Sequence, residues 1–418
     1  FSCISICIKH LLFFRFFLIP EITSYSCPSA SHLINIFWLL LPVAALSGWW
    51  IGKSAQETKK LSKNIHPEYF KGLNFVLNEQ PDKAIEVFIR MVEVDNETVE
   101  THLALGNLFR RRGEVDRAIR IHQNLIARPT LNQGQRAHAL LELGMDYMHS
   151  GLLDRAEKLF LELVDLDLYL NEAYFNLLEI YQQEKDWENA IIIARKFETI
   201  SGENLNPVIA HFFCEIAENE LNVGRLSDAK EQIHNAMNAN SKCVRASIIE
   251  AKIYQLTGKI EQAIESYKRL ESQDNNYITE IILPLHECYK ELDNVDQFIK
   301  YLRKIVNVHG NINILLILTE LIAEYEDKDL AINFIFQELR NRATVQGVDK
   351  LIEYTLSKSE GETYEHLSTI KKLTTKLIEK KPTYKCNNCG FDAKMLHWQC
   401  PGCKHWESIK PIFGVAGE

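Results

Sequence analysis

The stretch Gly144-Met-Asp-Tyr147-Met-His-Ser-Gly151-Leu-Leu-Asp-Arg-Ala156-Glu-Lys-Leu-Phe160 decides the fold. It sets down a small residue, an aromatic three positions on, a glycine seven on and an alanine twelve on. The same offsets return at Gly106, Phe109, Gly113 and Ala118, and at Ala251, Tyr254, Gly258 and Ala263. Gly72, Phe75 and Ala84 keep most of the frame, as do Leu178, Tyr181 and Ala190. The steps Gly72 to Gly106, Gly144 to Leu178 and Ala217 to Ala251 are each 34 residues. A small residue on a first helix lets a second helix come close, and an aromatic three positions later lies on the same face. The glycine supplies the left-handed residue that ends the first helix. The alanines Ala84, Ala118, Ala156, Ala190, Ala229 and Ala263 belong where the second helix crosses closest.

A helix–turn–helix unit repeating every 34 residues is the tetratricopeptide period. One unit cannot bury its apolar face alone, so units stack into a superhelical solenoid with a concave groove. The fold class expected is all-α, with an array over residues 66–381. Six repeats are clear in 67–272, and two or three degenerate ones follow, in which Tyr289, Phe298, Ala331 and Leu339 keep the frame loosely. Glu157, beside the close crossing at Ala156, is expected to be exposed. Arg110-Arg111-Arg112 reads as a solvated last turn that complements the helix dipole, the sharper alternative being a partner-binding patch. Cys214, Cys243 and Cys288 read as small buried hydrophobes.

Composition narrows the function. The 418 residues carry 47 basic and 56 acidic side chains, 47 − 56 = −9, and 46% are hydrophobic. That excludes wholesale disorder and gives no whole-chain signal for nucleic acid. Catalytic motifs are missing: there is no Gly-x-Ser-x-Gly, no dinucleotide glycine fingerprint and no distinguishable pair of catalytic carboxylates. His286-Glu287 opens like a zincin motif, but Lys290 stands in place of its second histidine. Gly48 to Ser54 falls one residue short of a phosphate-binding loop. No enzyme is expected.

The first methionine is Met91, so the true start is not legible, and residues 1–32 read as a doubtful N-terminal extension. Residues 33–52 contain the uncharged run Leu33–Ile51, close to the ~20 residues that cross a bilayer. Trp49 and Trp50 suit the interface, and Lys53, Lys59, Lys60 and Lys63 follow. Basic flanks stay on the cytoplasmic side. The expectation is one transmembrane helix with the bulk of the chain in the cytoplasm, against the alternative of a cleaved signal, for which Trp49–Lys53 is a poor cleavage site.

The strongest chemical signal lies in residues 384–414. Cys386-Asn-Asn-Cys389 and Cys400-Pro-Gly-Cys403 are two CxxC turns ten residues apart, the spacing of a closed four-thiolate metal site. So short a segment cannot build a sufficient core, and a metal is expected to hold it. Trp398, Trp406 and Phe391 are expected to form a small core around the sulfurs, while His397 and His405 are surplus as ligands. Spacing does not choose between iron and zinc.

Anchor, repeat array and four-cysteine tail, in that order, resemble the lipopolysaccharide assembly protein B family of Gram-negative bacteria. Leu39–Trp49, Arg117–Ile126, Gly151–Glu157, and in the tail Cys386, Cys389, Gly390, Phe391, Trp398, Cys400, Pro401, Trp406 and Ile409–Ile412 carry the resemblance. Rubredoxin-like tails usually have glycine where Lys404 stands. The resemblance implies a non-catalytic inner-membrane adaptor that regulates lipopolysaccharide biosynthesis. It would promote degradation of the LpxC deacetylase by the FtsH protease, alongside other lipopolysaccharide assembly proteins. It further implies one iron held by Cys386, Cys389, Cys400 and Cys403, with zinc as the alternative, and a tail docked on the array. A generic tetratricopeptide scaffold and a rubredoxin-type electron carrier are the competing readings.

Overall fold

The computed structural model describes residues 67–78, 80–94, 99–309, 312–379 and 381–412. The extension at 1–32 and the expected span at 33–52 lie outside them. Among the described residues no helix is long and apolar enough to cross a membrane. The chain divides into two compact units, the first ending at Leu105 and the second starting at Gly106.

In the first unit α1 (Pro67–Leu77) and α2 (Pro81–Val94) form a packed pair. A Cβ on Gly72 would lie 2.7 Å from the Phe88 ring, so the missing side chain is what lets Phe88 bury completely. Helix α3 (Val99–Arg111) carries the boundary between the units.

The second unit continues with α4 (Val115–Ile126), α5 (Gln133–His149), α6 (Leu153–Asp165), α7 (Leu170–Glu184), α8 (Trp187–Ser201), α9 (Asn206–Val223) and α10 (Leu226–Ala239). Next come α11 (Val244–Leu256) and α12 (Ile260–Lys268), then a short helical stretch ending at Tyr277. Six further helices follow: α13 (Ile278–Glu291), α14 (Val295–His309), α15 (Ile312–Leu321), α16 (Lys328–Asn341), α17 (Val345–Leu356) and α18 (Glu362–Glu379).

The repeat frame predicts the packing. Ala118, Ala156, Ala190, Ala229 and Ala263 are all fully buried. A Cβ on Gly144 would stand 2.6 Å from the Phe160 ring. Helix α5 starts with a capping box: Asn132 accepts from the Gln135 backbone N–H, and the Gln135 side chain accepts from the Asn132 N–H. Helix α5 ends as Gly151 takes φ +75°. In the next pair Lys185 stands at the same offset and takes φ +59°, so the turn persists where its glycine is lost.

Two readings change. Arg110 is not solvated: it is ion-paired to Glu142 at 2.6 Å and to Asp146 at 2.7 Å. Asp146 is fully buried and also meets His122 Nδ1 at 2.6 Å. His122 takes the place that Phe160 takes in the following repeat, against Gly106, and the buried ring brings its carboxylate and guanidinium with it. Glu157 is half-buried rather than exposed, because it accepts a 2.6 Å hydrogen bond from the Tyr181 hydroxyl.

The degenerate pairs have local causes. Pro284 sits inside α13, and α15 runs into a π-helical turn at Ile322–Glu326. The side chain of Asp327 then caps α16 by accepting from the Asp329 and Leu330 N–H groups. The chain ends in a three-stranded antiparallel sheet of order β2-β1-β3, with β1 Tyr384–Cys386, β2 Asp392–Ala393 and β3 Ile409–Pro411.

Candidate metal centre and its seat

The two CxxC turns are built alike. The Gly390 N–H donates to the Cys386 carbonyl at 2.9 Å, and the Lys404 N–H donates to the Cys400 carbonyl at 2.8 Å. The Cys386 N–H donates to the Phe391 carbonyl, and the Cys400 N–H to the His405 carbonyl, at 2.8 and 2.9 Å. Both turns close through a left-handed residue, Gly390 at φ +77° and Lys404 at φ +61°. Lys404 therefore holds the backbone shape that a glycine would adopt without strain.

The four sulfurs lie within 4.8 Å of one another. Cys386 to Cys403 and Cys389 to Cys400 are each 3.7 Å apart. A tetrahedral ion with metal–sulfur bonds of about 2.3 Å has sulfur–sulfur edges of about 3.8 Å, so the cage fits one such ion. The Cys389 N–H points at the Cys386 sulfur at 3.5 Å, and Ser408 Oγ donates to it at 3.4 Å. The Asn388 side chain and the His405 backbone N–H hold the Cys403 thiol down to about 5. Such donors favour the thiolate form that a metal requires.

The expected aromatic core is not where the tail keeps its aromatics. The tail core is Cys386, Cys400 and Ile409, with Tyr384, Leu396 and Cys403 against it. Phe391 is partly exposed. Trp398 and Trp406 face the helices instead. Trp406 stacks on His211 at 5.1 Å, meets Trp187 and Phe212 edge-on, and donates from Nε1 to Gln182 Oε1 at 3.0 Å. Trp398 lies 5.3 Å from the Tyr277 ring and under the Arg245 guanidinium. A core made of cysteines and one isoleucine leaves the indoles free to bury themselves in the array.

Polar contacts fix the register of this seat. Tyr277 donates to the Ile409 carbonyl at 3.1 Å, Lys410 pairs with Asp274 at 2.6 Å, and the Tyr384 hydroxyl donates to Glu280 at 2.6 Å. Burial opposes the charge on Arg245, but Glu218 and Glu215, each at 2.8 Å, outweigh it and raise its pKa. His211, almost fully buried, stands 3.6 Å from Glu407 of the tail. The tail thus lies along α7, α9, α11 and α13, the first helices of four consecutive pairs. Sequence reasoning missed Gln182, His211, Arg245, Asp274, Tyr277 and Glu280. The clue was an excess of tryptophan in a segment too small to bury two indoles.

Cys214, Cys243 and Cys288 are fully buried, as expected. Cys214 and Cys243 additionally touch, sulfur to sulfur at 4.0 Å.

Fold and site together define a tetratricopeptide array that seats a four-thiolate knuckle. A family described as rubredoxin metal binding domain matches residues 384–411, and tetratricopeptide repeat families match 101–137 and 244–277. Lipopolysaccharide assembly protein B of Escherichia coli K12 is 37% identical over 388 residues, covering 92% of this chain and 100% of that protein. Its namesake from Haemophilus influenzae is 35% identical over 392 residues, covering 91% and 98%. Among solved structures, one of Naa15/Naa10 bound to HypK overlaps 76% of this chain and 47% of the matched chain, at 12% identity and a TM-score of 0.41. The chain belongs to the lipopolysaccharide assembly protein B family.

Proposed function

We propose that the chain is a non-catalytic, membrane-anchored adaptor in lipopolysaccharide biosynthesis, and that Cys386, Cys389, Cys400 and Cys403 hold one metal ion. The observation that carries this reading is the seat. A knuckle with four sulfurs and no open coordination position is seated on α7, α8, α9, α11 and Tyr277 by two tryptophans and on α13 by Tyr384. A closed site serves structure, since a catalytic metal keeps a position free. The ion is iron in this reading, with zinc acceptable to the same cage. The partners follow from the family resemblance: the FtsH protease, the LpxC deacetylase whose degradation is promoted, and other lipopolysaccharide assembly proteins. Residues 33–52 would anchor the chain in the inner membrane with its bulk in the cytoplasm. Anchoring raises the effective concentration of the array near a membrane protease.

Affinity purification from native membranes followed by mass spectrometry tests the partner set; recovery of neither the protease nor the deacetylase would reject it. Zinc-loaded protein tests the role of the ion. Zinc keeps the tetrahedral cage without redox chemistry, so regulation should persist. A folded but inactive zinc form would favour the electron-carrier reading.

A further inference from the structure

A second surface lies at the edge of the seat. A groove of about 530 Å³ opens between α13 and α15 on one side and the tail strands on the other. Its helical wall is one stripe of α13: Glu280, Leu283 and Glu287, at spacings of three and four. Ile317 of α15, Tyr384 of β1 and Pro411 of β3 complete it. Leu283 is 63% exposed although it sits between two carboxylates. Among the described residues no lysine, arginine or histidine pairs with Glu280 or Glu287. Glu280 is held, among the described residues, by hydroxyls, chiefly that of Tyr384, and burial raises its carboxyl above the usual range.

We infer that this groove binds a segment of a partner protein in which a lysine or arginine is flanked by apolar residues. The inference deepens the adaptor reading and rests on it. Two carboxylates two helical turns apart, Glu280 half-buried and Glu287 exposed, have no counter-cation among the described residues; a positive side chain between them would favour the charged form that burial disfavours at Glu280. Leu283, Ile317 and Pro411 give the flanking residues apolar surface to cover. A small cation would leave that surface bare, and an acidic segment would face two carboxylates. Because Tyr384 and Pro411 belong to the tail, the groove exists only while the tail is seated. Metal occupancy and partner binding are therefore coupled through this wall.

The test uses the full metal-loaded chain and a fluorescein-labelled hexapeptide alternating leucine and lysine. A leucine–glutamate hexapeptide is the control, spermidine the competitor, and fluorescence anisotropy the readout. The lysine peptide should bind, weaken with added salt, and lose about tenfold in affinity in Glu287→Lys. Glu287 lines the groove with the tail strands but, among the described residues, shares no hydrogen bond or ion pair with them, so that variant should keep its metal and its seated tail, checked by metal content and tryptophan fluorescence. Glu287→Gln should give a smaller loss, and chelation should abolish binding. Equal binding of the glutamate peptide, full affinity in Glu287→Lys, competition by spermidine as strong as by unlabelled peptide, or binding that survives chelation would each overturn the inference. A seated tail with no preference for the lysine peptide rejects the groove alone. A tail that does not seat in loaded protein rejects the adaptor geometry with it.

Discussion

Trp406→Ala separates a tail that is held by its metal from a tail that is seated by its indoles. The side chain stacks on His211, meets Trp187 and Phe212 edge-on, and donates one hydrogen bond to Gln182. Aromatic pairs contribute ~0.5–1.5 kcal/mol each beyond area burial, and a net hydrogen bond about as much. With relaxation of the neighbours, the loss is about 2–5 kcal/mol, in line with large-to-small aromatic changes in cores. At 1.4 kcal/mol per decade, the seated-to-unseated ratio falls by roughly 30-fold to several thousand-fold. The Trp406 indole is not part of the tail's own apolar cluster, whose core is Cys386, Cys400 and Ile409. The variant should therefore keep one equivalent of metal while protease cuts between α18 and β1 far faster than in the parent. Metal content and limited proteolysis of the same sample measure both. Loss of the ion together with seating would show that Trp406 supports the cage, and an unchanged cutting rate would show that the seat does not depend on it.

Three further outcomes follow from particular contacts. Burial would raise the Glu142 carboxyl, but His138 and Arg110 override it and hold it at about 2. A depressed carboxyl stabilises the fold above its unfolded value near 4.5 and loses that contribution as pH falls toward 2. Glu142→Gln should thus narrow the gap in melting temperature to the parent across that window, and the contribution above it is at most about 3 kcal/mol; a gap independent of pH would refute the assignment. Ala156→Leu should destabilise by ~1–3 kcal/mol through overpacking against the first helix, whereas the exposed neighbour Lys158 should tolerate alanine; equal shifts in denaturant midpoint would count against the repeat frame. Lys404→Gly relieves a left-handed residue and should stabilise the tail by about 1 kcal/mol, read as slower metal release to a chelator; faster release would contradict the strain.

The repeat frame was legible because its determinants are local and periodic: a small residue against a ring, an alanine at the crossing and a left-handed residue at the turn. The four sulfurs were legible because ligand spacing is local too. What escaped was long-range and polar. From the sequence Arg110 reads as a solvated end, because no spacing links it to Asp146, 36 residues away. Glu157 reads as exposed because its partner, Tyr181, belongs to the next repeat. His122 looked like one more polar helix residue, although its offset from Gly106 is that of Phe160 from Gly144, and this was the available sign that it is buried. By sequence the tryptophans belong to the nearest core, whereas their partners lie from 121 (Tyr277 to Trp398) to 224 (Gln182 to Trp406) residues away along the chain. One fully buried ring of the seat, Tyr277, falls in a short turn that no repeat pattern marks.

The seat has a consequence for the array itself. Trp406 packs against the apolar cluster that runs from Ala137 to Phe212. Leu396 and Trp398 pack against a different cluster, from Val244 to Ala331. Between these lies a smaller cluster built from Ala210, Cys214, Ala229, Ala246 and their neighbours in α9, α10 and α11. The tail therefore straps two larger cores together across a thinner one that is rich in alanine and cysteine. Small side chains bury little area each, and at ~25 cal/mol per Å² the middle segment gains least from its own packing. Local opening follows low local contact and buried apolar area, so the middle segment is where the array should loosen when the strap goes. Chelation removes the ion, and the tail, too small to fold unaided, should unfold with it. Hydrogen exchange should then rise at α9 and α11 by far more than at α5 and α6, while helical content stays near its starting value. Uniform exchange along the array after chelation would refute the strap, and unchanged exchange at α9 and α11 would show that those repeats need nothing from the tail.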